Sequence, residues 1–480
     1  MRGAAALAFL LAAAVATPAA GQDAVVTGEL TRADFETYRE VPFNVPAGVR
    51  RVTVWLSYDK ADRTVVDLGL WDPQRFRGWS GGRRDRITVG ETDATPGYLS
   101  GALPAGRWSV VLGVPNIRAG VRSRFRVSVF FDRGGATAAS DAIAAPLVDR
   151  GPGWYRGDLH MHDAHSDGSC AAISGAAERV PCPLFRTVSA ASAAGLDFVA
   201  VTDHNTVAHF GGLRELQPWF DRLLLIPGVE VTTFHGHANI FAPHRFVDFR
   251  LGSRKGIGAL QDEIAGAGAA MSVNHPALPS GEACMGCGWS WPGTDWSRVT
   301  AIEAINGATT SGPLAGTGFW YARLNEGHRL TGIAGSDNHD PDATPGQSPI
   351  GRPTTVVRAR ALTTAAILDG VRAGDVFIDV EGTRDRLLET EARQDGRVAA
   401  MGASLRGRGP IRVAVHVTGV DGALAQLFVD GQPHGPARAV AGADARLSFE
   451  LPRDAVRRWL AVQVLRGGRP LLIGNPIYVE

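Results

Sequence analysis

Trp154-Tyr-Arg-Gly-Asp-Leu-His160-Met-His162-Asp-Ala-His165-Ser-Asp167-Gly168 is a short apolar run that ends in a dense group of metal-ligand side chains. Successive residues of a strand point to opposite faces, so His160 and His162 share one face. Two imidazoles side by side on a rigid element can hold one divalent metal. Asp167 follows in a Ser-Asp-Gly turn that can fold a carboxylate back toward them.

Residues 151 to about 380 alternate strand and helix. Seven apolar strand candidates are Tyr155–His162, Phe198–His204, Leu223–Val231, Ala238–Ala242, Ala270–His275, Thr300–Asn306 and Leu330–Ser336. Helix-like segments such as Arg186–Ala194, Gly256–Gly266 and Leu314–His328 lie between them. This alternation predicts a parallel sheet, and closure into a βα barrel is the economical arrangement. Nearly every strand ends in a ligand type: His160 and His162, Asp203-His204, Glu230, His237 at the head of the fourth, His275, and Asp337 with His339. Eleven of the 13 histidines lie between 160 and 339, where an even spread over 480 residues would put about five. Strand ends of a barrel converge on one mouth, which gives the clustering a cause.

The flanks read differently. Residues 22–132 repeat short alternating runs, among them Arg51–Leu56, Val65–Trp71, Trp108–Val114 and Phe125–Phe131, separated by Pro, Gly and Asp turns. They predict an N-terminal β-sandwich, with an Arg-, Gly- and Trp-rich loop at Asp72–Arg86 that either binds a ligand or covers a sheet edge. Residues 133–150 are small and polar and read as a linker. From 383 to 480 alternation returns (Ile411–Val417, Leu427–Gly431, Leu447–Leu451, Trp459–Val464), predicting a C-terminal β domain of immunoglobulin-like size.

A basic start, the apolar run Ala4–Ala16 and Ala19-Ala20-Gly21 read as a signal peptide over 1–21, so the expectation is a secreted or periplasmic protein with no membrane span after cleavage. The net charge of +1, without a long charge run, argues against nucleic acid as an obligate partner. Export permits disulfides. The four cysteines, Cys170, Cys182, Cys284 and Cys287, read as two local bridges in preference to a zinc site, because one C-x-x-C without a second pair is a weak zinc signal.

Together the motifs resemble the PHP (polymerase and histidinol phosphatase) superfamily. They are Asp158-Leu-His160-Met-His162 with Ser166-Asp167-Gly168, then Val201-Thr-Asp203-His204-Asn205, Gly228-Val-Glu230, Asn274-His275-Pro276 and Gly335-Ser-Asp337-Asn-His339. The resemblance covers about 230 residues and implies a distorted seven-stranded βα barrel over 151–382 holding two or three metals. With its β flanks, an Ala-Thr-Pro-Gly-Tyr segment at 94–98 and the ending Gly474-Asn475-Pro476-Ile477-Tyr478-Val479, the chain looks most like the CehA/McbA group of PHP metallohydrolases.

The resemblance also implies ligand roles. His160, His162, Glu230 and Asp337 would hold a first metal. Glu230 would bridge to a second on His237 and His275, and Asp167, His204 and His339 would hold a third. His165 competes with Asp167 and His235 with His237. Asp203 is either a ligand or a partner that orients a histidine. Glu303 and Asn306 read as supporting or packing residues. Arg156, Arg323 and Arg329 are candidates to grip a phosphate, and nothing in the sequence ranks them above the other arginines.

The mixture of imidazole and carboxylate suits Zn, Mn or Fe rather than Ca. A bridging water between such metals ionises near neutral pH and can attack phosphorus or a carbonyl carbon. His339 or Asp203 would protonate the leaving group. The expected function is hydrolysis of a small-molecule or polymer ester, first a phosphate mono- or diester. A carboxyl, amide or carbamate ester is the alternative, and a non-catalytic binding protein is a third reading that the ligand set disfavours.

Overall fold

The structure, a computed structural model, describes residues 23–49, 51–90, 94–95, 97–132, 150–175, 178–243, 246–252, 255–282, 284–342 and 348–480. The expected signal peptide lies outside them, as do His244 and the expected linker apart from Arg150. No helix among the described residues is long and apolar enough to cross a membrane.

The fold is mixed α/β, with one large mixed sheet and several antiparallel ones. The seven expected strands form a continuous path in the large sheet. In spatial order they are Thr331–Gly335, Ala301–Asn306, Ala270–Val273, Gly236–Phe241, Leu224–Thr233, Phe198–Val201 and Gly153–Asp158. All are buried on nearly every residue, as strands covered on both faces must be. The helices Leu184–Ala193, Ile257–Gly266 and Thr317–Asn325 turn apolar residues such as Val188, Leu260 and Trp320 inward.

Two features depart from the sequence expectation. First, the sheet is not all parallel. Gly236–Phe241 runs antiparallel to both its neighbours, because Thr233 pairs with Gly236 across a two-residue turn. So short a connection can only form a hairpin, since a parallel partner needs a crossover of a dozen residues. This reversal is why His237, at the start of its strand, lies beside Glu230 near the end of the preceding one. Second, most ligand-type residues lie just beyond the strands rather than in them. The first strand stops at Asp158 and the second at Val201. The chain past each end stays ordered through single contacts. Met161 bridges Asn338 in parallel, the Asp337 N–H donates to the His160 carbonyl (2.9 Å), and the His162 N–H donates to the Asn338 carbonyl (2.9 Å). These contacts bring the first and seventh strands side by side past their ends.

On its other side Gly153–Asp158 pairs antiparallel with Thr354–Ala359, and the sheet runs on through Val376–Asp379 to Arg469–Gly474. The C-terminal strands build a second layer, Leu387–Gln394, Arg397–Ala400, Ile411–Thr418 and Asp444–Leu451, over a core that includes Val413, Leu427 and Val462. Residues 23–132 form two four-stranded antiparallel sheets around Leu68, Trp108 and Val129. Phe76 and Trp79 of this unit join the core that holds Val231, Phe249 and Trp320 of the central one.

Cys170 is bonded to Cys182 and Cys284 to Cys287. The first bridge closes the segment after the Asp163–Gly168 turn, where the Ala164 N–H donates to the Cys182 carbonyl (2.7 Å). Closing a short loop restricts the unfolded chain, so Cys170→Ser/Cys182→Ser is expected to lose about 3 kcal/mol of stability in urea unfolding. An unchanged midpoint would show that the turn does not depend on the bridge.

Candidate metal centre

His160 is fixed before any ion is considered. The buried carboxylate of Asp158 accepts from the N–H groups of His160 (3.2 Å), Ser336 (3.0 Å) and Gly351 (2.8 Å), tying the first strand end to the seventh. Gly335 allows this close approach, since a Cβ there would collide with the Cβ of His160. Glu303 then orients two imidazole-bearing residues. Its Oε1 takes Nδ1 of His160 (3.0 Å) and its Oε2 takes the N–H of His275 (2.9 Å). The first of these bonds leaves Nε2 of His160 free to face the interior.

Three overlapping sets of ligand atoms follow. In the first, Nε2 of His160 lies 3.3 Å from Glu230 Oε1 and 3.3 Å from Asp337 Oδ1. Nε2 of His162 lies 3.5 Å from Glu230 Oε2 and 3.3 Å from the same Asp337 oxygen. In the second, Glu230 Oε1 is 3.3 Å from both Nδ1 of His237 and Nε2 of His275. In the third, Asp167 Oδ1 is 3.3 Å from Nε2 of His339 and 3.7 Å from Nε2 of His204. His162 closes this set as well. The other nitrogens are held in place: His339 Nδ1 donates to the Asp337 carbonyl (2.8 Å), His204 Nδ1 meets Thr232 Oγ1 (2.6 Å), and His275 Nδ1 donates to the Cys287 carbonyl (3.1 Å). His275 and Asp337 both sit at positive φ, 26° and 51°. Neither is glycine, and such backbone costs on the order of 1–3 kcal/mol each. Strain at two ligand positions marks this as a place shaped for something other than stability.

The residues fit divalent cations. Nε2 of His160 and His162, both nitrogens of His237, Oε2 of Glu230 and Oδ1 of Asp167 are buried without a hydrogen-bond partner. Buried polar atoms left so are costly, and these point at one another. The three carboxylates also need positive charge when the imidazoles are neutral. Without an ion the imidazoles themselves supply it. Burial works against a charged His204, but Glu230 and Asp167 outweigh it and hold the ring up at about 9. Burial works likewise against His339, and Asp167 raises it to about 10. His162 goes the other way, held down at about 4 by burial and by His339 and His204.

Every residue read as a ligand, His160, His162, Asp167, His204, Glu230, His237, His275, Asp337 and His339, is therefore in the cluster. Of the competitors, His235 pairs instead with Glu36 (3.3 Å) and His165 turns to Asp163 (2.7 Å). Asp203 is fully buried one layer behind. Its Oδ1 accepts from Ser166 Oγ (2.5 Å) and the Asp163 N–H (3.0 Å), and Ser166 Oγ also meets Nδ1 of His162 (3.3 Å). Its Oδ2 faces Nδ1 of the buried His209 at 3.4 Å. Asp203 thus positions the turn and His162 through Ser166. The arginines considered for phosphate are engaged elsewhere. Arg156 pairs with Asp379, Arg323 with Glu326, and Arg329 with Glu480 and Ser404.

Two solved structures are similar to parts of the chain. One is a two-domain protein from Bacteroides vulgatus containing a predicted PHP-like metal-dependent phosphoesterase, at 18% identity. The match covers 72% of this chain and 100% of that one, with a TM-score of 0.37. Another is a candidate metal-dependent phosphoesterase from Bifidobacterium adolescentis, at 15% identity over 41% and 90% of the two chains, with a TM-score of 0.29. No family model and no curated protein matches the chain.

Several supporting residues escaped the sequence reading. Asn274 donates to Glu230 Oε1 (2.9 Å) and Thr232 caps His204, though neither type stands out in a sequence. Asp67, in the N-terminal unit, lies near enough to feel His204; burial pushes its carboxyl up to about 7 against that influence. Glu303→Gln is expected to lower metal affinity roughly 10- to 100-fold while the fold persists, since it loosens two imidazole-bearing residues at once. Titration with Zn or Mn against a competing chelator reads this, and wild-type affinity would count against the orienting role.

Proposed function

We propose that the protein is an exported metal-dependent hydrolase of phosphate esters, with two or three Zn, Mn or Fe ions as cofactors. The observation that carries this is the sharing of Glu230 between the first and second ligand sets and of His162 between the first and third. Cations bound there would be close enough to act on one substrate. A phosphoryl group offers several oxygens to such a centre, whereas a carbonyl offers one. When bound, the cations supply an acidified water and neutralise the charge that develops on the phosphoryl oxygens.

The chain's own residues do the rest. Glu230, taking Asn274 and facing five imidazoles, holds two ligand sets at a fixed spacing. Glu303 and Asp203 keep His160 and His162 from turning. Asp167, His204, His339 and Asp337 retain 33, 23, 29 and 22% side-chain exposure, against 8% or less for His160, His162, His237, His275 and Glu230, so substrate approaches from their side. With the third set left without a cation, His339 Nε2 at that mouth would hold the proton that passes to the leaving group, and Asp203 would act through Ser166 rather than on substrate.

The same reading includes membership of the CehA/McbA-like PHP group and closure of the seven strands into a barrel through the Met161–Asn338 contact. It also includes export on residues 1–21 to a secreted or periplasmic location. The boundaries proposed are a β-sandwich over 22–132, a linker at 133–150, the barrel over 151–382 and a C-terminal β domain from 383. Metal-loaded protein is to be assayed on p-nitrophenyl phosphate, bis-p-nitrophenyl phosphate and a naphthyl carbamate. Turnover of a phosphate ester is expected. Turnover of the carbamate alone would favour the alternative reading, and fewer than about one tightly held metal per chain would remove both.

A further inference from the structure

The N-terminal β unit reaches the mouth of this centre. Its Trp79–Arg83 segment lines a cavity of about 150 Å³ together with Ser166, Asp167 and His204, at the exposed end of the ligand cluster. The segment is held firmly. Ser80 Oγ meets Tyr98 Oη (3.1 Å), which donates to the Leu68 carbonyl (2.8 Å). Arg84 donates to the carbonyls of Ala164 (2.8 Å) and Ser166 (3.3 Å), on the turn that carries Asp167. Gly97, at φ 96°, accepts from Thr206 Oγ1 (3.1 Å), and a Cβ there would lie 2.7 Å from the His165 carbonyl oxygen and 2.8 Å from that of Trp79. Behind the segment Trp79 meets Phe249 edge-on at 5.0 Å, and Phe76 stacks on Phe246 at 4.6 Å. The apolar contact fixes where the segment sits.

Within it two adjacent arginines differ. Arg84 is engaged with main-chain oxygens of the central unit. Arg83 is exposed and has no ion-pair partner among the described residues. It also lines the cavity, whose opposite wall carries Asp167 and His204 of the ligand cluster, so its planar, permanently charged donor fork is available to a group seated there. Two positive walls face one another productively only with an anion between them. A cavity of this size, below the roughly 300–1,000 Å³ of pockets that enclose drug-sized ligands, takes a phosphoryl-sized group rather than a polymer chain.

We infer that Arg83, from the N-terminal β unit, binds a phosphoryl oxygen of a phosphate monoester seated on the Asp167, His204 and His339 side of the centre. The inference rests on the phosphoester reading and adds the substrate class. A monoester dianion leaves an extra charged oxygen for the guanidinium, while a diester masks that oxygen with its second organic group. The β unit is then part of substrate recognition.

The test uses the full-length, metal-loaded protein and inorganic phosphate as the probe, followed by isothermal titration calorimetry. Arg83→Gln is expected to weaken phosphate binding roughly tenfold to a hundredfold, the worth of one charge-assisted hydrogen bond. Arg83→Lys should recover part of the loss. Arg86→Gln, which removes a nearby exposed charge outside the cavity, should leave affinity unchanged, and metal content should be equal in all four proteins. KM for p-nitrophenyl phosphate should rise more in Arg83→Gln than KM for the diester. Equal phosphate affinity in wild type and Arg83→Gln, or an equal loss in Arg86→Gln, would overturn the role of Arg83 and leave the phosphoester reading standing. A fully metallated wild type that neither binds phosphate nor cleaves either ester would overturn the phosphoester reading itself.

Discussion

Glu230→Gln is expected to cost the protein at least one bound metal and to lower kcat/KM on the order of a thousandfold or more. The reason is geometric. The Glu230 carboxylate lies within 3.5 Å of nitrogens from His160, His162, His204, His237 and His275, and it is the carboxylate common to the first two ligand sets. An amide keeps the size of the group but removes its charge and one acceptor oxygen. Both neighbouring sets are weakened by one substitution, whereas losing a single preorganised electrostatic contact elsewhere costs about 10²–10³ in kcat. Metal analysis of the purified variant separates the two consequences. Wild-type metal content together with wild-type activity would refute the bridging role. His162→Ala, which touches the first and third sets, is expected to follow the same pattern.

Removing the metals should lower the melting temperature of the central unit by on the order of 10 °C. A ligand present at a thousand times its Kd stabilises the folded state by about 4 kcal/mol, and each kcal/mol moves Tm by about 2–4 °C in a domain of this size. The sign follows from the structure: the ligand atoms come from six of the seven strands and converge only when the sheet is assembled, so the ions would bind the folded chain far better than the unfolded one. The burial of unpartnered atoms on His160, His162, His237 and Glu230 without the ions works in the same direction. Calorimetric scans with and without a chelator, followed by re-addition of Zn or Mn, measure the effect. Identical transitions in the two states would show that the cluster is not a metal centre.

Much of this centre was legible as a one-dimensional pattern because each ligand pair sits at the end of an apolar run. The apolar run announces a buried strand, and a histidine or carboxylate at its end is costly to bury without a purpose. That logic found His160 and His162, His204, Glu230, His275, and Asp337 with His339. It missed the direction of Gly236–Phe241, since a strand pattern carries no sign. The two-residue connection at Phe234-His235 was the available signal. It also placed His160, His162, His204 and His275 inside strands, whereas those strands stop at Asp158, Val201 and Val273 and His275 sits in left-handed backbone just past its own.

Residue types and their spacing were enough to pick out the histidines and carboxylates that converge in the cluster and the strand–helix alternation that delivers them, because both are local along the chain. How those residues are grouped and supported depends on the folded chain. It is through-space packing that joins Glu303 to His160 across 143 positions and hides Asp203 behind Ser166. The same packing brings Arg83 of a separate β unit to the cavity beside Asp167 and His204, and buries Asp67 within electrostatic reach of His204. Contacts of that kind depend on where two surfaces meet after folding, and no spacing along the chain encodes them.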